Sequence, residues 1–320
     1  MTDHEMIAPG LSRSGLTTLL ERHRLGALER VSQIADSPMP SLLVNNTLLI
    51  RCAHNPAQRS QLTKEALIYR RLRSLEDVPC PEVVVLDTER DLLPCDVLVL
   101  SHLEGVAGNI IWPQLNSVQR EHVSEELGRI CGAIHSLPWT VYGEVNLDVE
   151  PGAQSARWID IVMQKTARAY EHAQASRLLP QRTLDAFVTA INDSDSVFNT
   201  PGLPVLTHAD LRLWNVLLRQ DGSHWQVAAL LGWDSALIAD VAWEFAVLWS
   251  VPIQIYPLPA AFVHGYKERR IPPPDVRDRQ RLYRIVYHVE QALALQAQPN
   301  VEPEHVNIHL TAVERLLTPH

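Results

Sequence analysis

One stretch of the chain constrains its architecture more than any other: Thr207-His208-Ala209-Asp210-Leu211-Arg212-Leu213-Trp214-Asn215-Val216. It carries H-x-D-x-x-x-x-N at its polar centre, with Val205-Leu206 before it and Val216-Leu217-Leu218 after it. A turn at Asp221-Gly222 and a second apolar run, Val227 to Leu231, come directly afterwards. Short apolar runs closed off by turn residues read as strands, so the unit is strand, polar loop, hairpin. The sequence around it reads as helix. Gln119 to His135 repeats Val123, Leu127, Ile130 and Ile134 at three- and four-residue steps. Trp158 to Ala175, Gln181 to Ile191 and the C-terminal third, interrupted at Pro272-Pro273-Pro274, continue the pattern.

The N-terminal third is different. Residues 12–35 are expected to be helical on the spacing of Leu16, Leu19, Leu20 and Leu25. Leu42-Leu43-Val44 and Thr47-Leu48-Leu49-Ile50 then read as strands, with Asn45-Asn46 as a tight hairpin turn. A helix from Pro56 to Leu72 comes next, and Val83 to Leu86 and Val97 to Leu100 read as two further strands. The expected fold is α+β in two lobes. A small β-rich lobe covers residues 1–104, and a larger, mainly helical lobe covers 105–320 and carries the polar strand-loop.

Charge and composition narrow the function. Lys plus Arg number 28 against 37 Asp plus Glu, a formal charge of −9. That argues against a nucleic-acid partner, which would select a basic surface. With 46% hydrophobic and 20% charged residues the chain can bury a substantial core. Cys52, Cys80, Cys95 and Cys131 are scattered with no C-x-x-C, and read as small buried hydrophobes. The start, Met-Thr-Asp-His-Glu-Met, has neither a basic nor an apolar leader segment. The richest apolar stretch, Val227 to Val263, is broken by Asp234, Asp240, Glu244 and prolines. A cytoplasmic protein with no membrane partner is expected.

The polar loop suits phosphoryl transfer. An aspartate at its start can orient and deprotonate an attacking hydroxyl, and an asparagine further on can supply an oxygen to a metal on a triphosphate. On these residues the chain resembles the aminoglycoside phosphotransferase and choline kinase family, a branch of the protein-kinase-like fold, over roughly residues 30 to 290. The resemblance implies ATP and Mg2+ as cofactors and Asp210 as the catalytic base. It makes Asn215 a metal ligand, and it sets Arg51 where the phosphate-pairing cation lies, held by Glu65. Val99 to Gly105 resembles the hinge strand, which implies that backbone groups of Ser101 and Leu103 hold the adenine. Leu127-Gly128 through Pro138 resembles the family's Leu-His-x-Leu-Pro helix end, and Ala236 to Ala246 its stretch beyond the metal site. Asp240 and Glu244 read as helix caps and braces, and His208 as a prop for the loop.

Two departures stand out. The family's second metal-binding aspartate falls at Gly232, in Leu230-Leu231-Gly232-Trp233-Asp234. Asp234 is the expected replacement ligand, since i and i+2 on a strand share a face. The expected nucleotide loop, Ser37-Pro38-Met39-Pro40-Ser41, has no glycine and two prolines, which remove N–H donors. The expected activity is phosphorylation of a small-molecule hydroxyl. The alternatives are an impaired pseudokinase that binds a partner protein or peptide, and a kinase acting on Ser or Thr of a peptide in a natural-product pathway.

Overall fold

The structure is a computed structural model and describes residues 6–8, 11–34, 39–145, 154–198, 202–222, 224–250, 258–298 and 301–318. The chain divides into two units: residues 1–113, 145–148 and 215–234 form one, and residues 114–144, 149–214 and 235–320 the other. The expected boundary near residue 105 thus falls inside the first unit, which also takes in the hairpin after the polar loop.

The first unit opens with a small hairpin, β1 (Met6–Ala8) and β2 (Leu11–Ser12), and helix α1 (Arg13–Arg22). Ser12 caps α1, its hydroxyl accepting from the Gly15 N–H at 3.1 Å. The helix ends far short of residue 35, which corrects the expectation. Arg24 and Gly26 both adopt left-handed backbone, at φ 55° and 90°, and turn the chain out of the helix. The next element is a strand, β3 (Val31–Gln33), paired with β4 (Ser41–Val44). Asn45 and Asn46, at φ 52° and 57°, make the tight turn into β5 (Leu48–Ala53), since asparagine tolerates this region. Helix α2 (Pro56–Leu72) starts on an Asn55 cap with proline in its first turn. Strands β6 (Val83–Asp87) and β7 (Asp96–Ser101) complete an antiparallel sheet of order β3-β4-β5-β7-β6. Leu16, Leu19 and Leu20 of α1 pack on one of its faces against Leu42, Val44, Ile50, Cys52, Val97 and Val99, all essentially buried. A short strand β8 (Val106–Ala107) and a single helical turn α3 (Gly108–Ile111) close this part.

The second unit begins with α4 (Ser117–Ile134), opened by a capping box between Asn116 and Gln119. Strands β9 (Tyr142–Glu144) and β10 (Gln154–Ser155) precede α5 (Trp158–Ala175), α6 (Gln181–Asn192) and the one-turn α7 (Asp195–Phe198). Strand β11 (Val205–Thr207) leads into the polar loop. Beyond Trp214 the chain re-enters the first unit as β12 (Val216–Asp221) and β13 (His224–Leu230), and β12 also pairs with β8.

After Asp234 the second unit resumes with β14 (Leu237–Ala239), in the sheet β10-β9-β14-β11, and α8 (Val241–Leu248). All eight residues of α8 are buried, the seven apolar ones and Glu244 alike. Helices α9 (Pro259–Lys267), α10 (Val276–Gln296) and α11 (Pro303–Leu317) finish the chain. Helix α9 approaches α4 so closely that a β-carbon at Gly265 would overlap the Glu125 backbone, and one at Gly128 the Phe262 backbone. Among the described residues no helix is long and apolar enough to cross a membrane.

Candidate active site

The polar loop is held in the second unit by a buried carboxylate. Glu244 of α8 accepts the backbone N–H of His208 at 2.5 Å and that of Ala209 at 3.2 Å. Glu244 and Thr207 are fully buried and His208 nearly so. The turn they fix is tight: Ala209 sits at φ 57°, a conformation that costs a residue with a β-carbon roughly 1–2 kcal/mol. The His208 ring props the loop from inside, its Nδ1 accepting the Asp210 N–H at 3.2 Å. Asp210 therefore leaves the loop at a defined angle, with its side chain 14% exposed.

Arg212 grips that carboxylate with a fork, Nε to Oδ1 and Nη2 to Oδ2, the second at 2.7 Å. Its guanidinium lies 3.9 Å from the centre of the Trp214 ring, a cation on an aromatic face. Neither contact is legible in the sequence. Arg212 stands there as one charge in the loop, and nothing in the spacing says which acid it binds. Asp240 caps α8 as expected, whereas Glu244 braces the polar loop rather than a helix. The Asp240 carboxylate accepts from the Ala242 N–H, from Tyr283 Oη at 2.6 Å and from Arg279 Nη2 at 3.4 Å, and forms a buried ion pair with Arg279, whose Nε lies 2.7 Å from Oδ2. Burial pushes the Asp240 carboxyl up, and the Arg279 charge opposes the shift.

The other candidates lie in the first unit. Arg51 of β5 and Glu65 of α2 form a close ion pair, 12% and 4% exposed. Burial holds the Glu65 carboxyl above the ordinary carboxylate range; the Arg51 charge opposes this and the nearby Asp234 charge adds to it. Lys64, also buried, donates from Nζ to the Asp234 carbonyl at 3.0 Å. Arg51, Glu65, Lys64 and Asp234 thus form one cluster.

Asn215 ends a 3-10 turn just ahead of β12, and its carbonyl accepts the Leu231 N–H at 2.8 Å. Strand β13 stops at Leu230, so Gly232 and Asp234 are not on a strand and the shared-face argument for Asp234 does not hold. The reason is Gly232 itself. At φ 73° it turns the chain, and Trp233–Ser235 forms a 3-10 turn. A β-carbon on Gly232 would lie 2.7 Å from Asn215 Cγ, so the asparagine side chain fills the space beside the missing side chain. Asn215 and Asp234 offer an amide oxygen and an exposed carboxylate, hard donors of the kind Mg2+ takes when phosphates and water complete its shell.

Of the residues expected at the hinge, Ser101 donates its N–H to the Glu82 carbonyl at 2.9 Å, and its Oγ accepts the Glu82 N–H. Neighbouring His102 donates its N–H to the Thr47 carbonyl. Leu103 comes directly after it, half-buried. Residues Ser37 and Pro38 of the glycine-free loop lie outside the described residues. Met39 is buried and Pro40 accepts the Cys52 N–H at 3.0 Å.

A family profile described as the phosphotransferase enzyme family matches residues 26–284. No curated protein matches the chain. Among solved structures, the streptomycin and ATP ternary complex of APH(2″)-IIa is similar at 13% identity, with 96% of each chain covered and a TM-score of 0.67. The GDP and kanamycin complex of APH(2″)-IIIa gives 14% identity over 94% of this chain and 97% of that one, TM-score 0.68. A putative aminoglycoside phosphotransferase from Ralstonia eutropha JMP134 gives 14% identity over 95% of both chains, TM-score 0.68. The fold these share is the protein-kinase-like α+β fold, with a sheet-bearing lobe and a helical lobe.

Proposed function

Because this chain belongs to the phosphotransferase enzyme family, we propose that it is a kinase that transfers the γ-phosphoryl group of ATP, with Mg2+, to a hydroxyl of a small molecule. The observation that carries this reading is the Asp210 turn. A buried glutamate, a buried histidine and a strained alanine are all arranged to aim one carboxylate. Little covalent chemistry falls to the protein in such a reaction, and catalysis rests on positioning and charge.

In this reading Asp210 orients the acceptor hydroxyl and takes its proton. The Arg212 fork fixes the carboxylate plane and yields one oxygen to the acceptor. Arg51 pairs with the phosphates while Glu65 holds its guanidinium in place. Asn215 and Asp234 would hold Mg2+, which neutralises charge on the triphosphate when bound. The Ser101 carbonyl and the Leu103 N–H are the hinge groups offered to the adenine, since the Ser101 N–H is spent on Glu82. Solved neighbours are complexes with streptomycin, gentamicin and kanamycin. Together with the net charge of −9, they make aminoglycosides the first acceptors to test. The cytoplasm, where ATP is supplied, is the compartment this activity fits.

Gly232 favours a second reading, a pseudokinase that keeps the fold and has lost turnover. Calorimetric titration of ATP with and without Mg2+, followed by ADP release with an acceptor panel, separates the two. Mg2+-dependent binding and acceptor-dependent ADP release that vanish in Asp210→Asn are expected. A protein that binds no nucleotide in either condition refutes the kinase reading.

A further inference from the structure

Away from the catalytic aspartate, three side chains of different chemistry converge in the interior of the second unit. Cys131 and His135 are one turn apart on one face of α4 and its cap, and Glu244 comes from α8. All three are buried, at 3%, 1% and 0% exposure. Cys131 Sγ lies 3.6 Å from His135 Nε2, and that nitrogen lies 3.8 Å from Glu244 Oε2. All three donor atoms fall within 4.8 Å of one another. A point equidistant from atoms so spaced lies within about 2.4 Å of each, close to the ~2.0–2.3 Å of zinc bonds to nitrogen, oxygen and sulfur.

Charge points the same way. Glu244 is fully buried, and among the described residues no lysine or arginine pairs with it. Its partners are the two loop N–H groups and the His135 ring. His135 balances this carboxylate only when its ring is protonated, and a buried carboxylate left without a counter-charge is expensive. A divalent ion on one thiolate, one carboxylate and one neutral imidazole leaves the cluster with no net charge. The second sphere suits this as well. His135 Nδ1 lies 3.0 Å from Tyr266 Oη, so an Nδ1–H donated to the phenol leaves Nε2 free to ligate. A sulfur, nitrogen and oxygen set selects zinc over Mg2+ or Ca2+.

We propose that Cys131, His135 and Glu244 form a structural zinc site that ties α4 to α8. Binding converts the Cys131 thiol to a zinc-bound thiolate and releases its proton to solvent, with no change of oxidation state. Glu244 spans both roles, one carboxylate serving the ion and the N–H groups of His208 and Ala209. The ion therefore stiffens the turn that aims Asp210. Because the donors are sealed from solvent, the metal enters as the chain folds.

The test is made on tag-free, full-length protein expressed in minimal medium with added zinc or added cobalt, then dialysed against chelator. About one zinc per chain is expected, and the cobalt form should show the near-ultraviolet sulfur-to-cobalt charge-transfer band of a thiolate ligand. Cys131→Ser removes that band and lowers the metal content at least tenfold. Tyr266→Phe, which touches no metal, weakens retention about tenfold or more. A soluble wild-type protein with no more metal than Cys131→Ser, and colourless after cobalt growth, overturns the proposal. So does a cobalt spectrum without the thiolate band, since a surface site would then hold the ion.

Discussion

Gly232→Ala adds one carbon to the first unit at a point where its cost can be worked out. At φ 73° a residue with a β-carbon costs roughly 1–2 kcal/mol, and about 0.5–1 kcal/mol returns because alanine is less free than glycine when unfolded. The new atom would also lie 2.7 Å from Asn215 Cγ, closer than real β-carbons stand. Moving the asparagine off its rotamer adds about 0.5–1.5 kcal/mol. A net loss of about 2 kcal/mol results, which thermal melting should read as a drop of several degrees. The double-mutant cycle with Asn215→Ala isolates the contact. In that background the substitution should cost about 1 kcal/mol less. Additivity to within about 0.5 kcal/mol would refute the claim that Asn215 occupies this space. Gly232→Asp enters by the same route, less strained because aspartate tolerates left-handed backbone. It sets a carboxylate against Asn215, so its melting temperature should fall in chelator and recover with millimolar Mg2+. The alanine variant should not recover.

Other substitutions probe the site and the core around it. Asp210→Asn should abolish phosphoryl transfer while leaving melting within a degree or two, because the turn is held by Glu244 and His208; residual turnover above about 1% would remove Asp210 as the base. Arg212→Met should lower kcat about tenfold with little change in stability, since the pair is partly exposed and screened; unchanged kcat would show that the fork does not position Asp210. Ala209→Gly should stabilise the protein by about 0.5–1 kcal/mol, and a loss of stability would count against strain at this turn. Burial beside His309, Arg284 and Arg315 lowers His288 to about 3. A histidine depressed in the folded state gives stability that is present above pH 6.5 and lost as pH falls toward 3. The loss should run at about 1.4 kcal/mol per pH unit, and His288→Gln should flatten the slope; parallel slopes in the two proteins would exclude His288 as its source.

The sequence made the regular elements legible wherever local signals agreed. Helix α2 begins at Pro56 behind an asparagine cap, and the turn at Asn45-Asn46 could hardly be anything else. Residues 23–35 misled because Leu25 extends a helical leucine spacing across Arg24 and Gly26, whose left-handed backbone ends the helix. Residues 231–234 misled for the same cause, an apolar run crossing a glycine that leaves the sheet. Around the candidate site, the loop motif named Asp210 and Asn215. What fixes the loop lies beyond local reading: Glu244, which accepts the His208 and Ala209 N–H groups, is more than thirty residues away, and the spacing alone does not say that Arg212 turns back on Asp210. The Cys131 and His135 spacing does place both on one helix face, but their meeting with Glu244 is a tertiary fact.

The chain's return to its first unit at Asn215 bears on how the protein is made. Val106 and Ala107 pair with Leu218 and Leu217, so this ladder waits for more than a hundred residues to be synthesised. A ribosome-bound chain that has just emitted residue 113 lacks β12, β13 and the Asn215 turn of that unit, and exposes the β8 edge. Folding cannot then proceed strictly from N-terminus to C-terminus, and so distant a loop closure is intrinsically slow. A fragment ending near residue 113 is for the same reason an unpromising source of an isolated, folded first unit. One that fuses residues 215–234 to it by a short linker restores the missing strands.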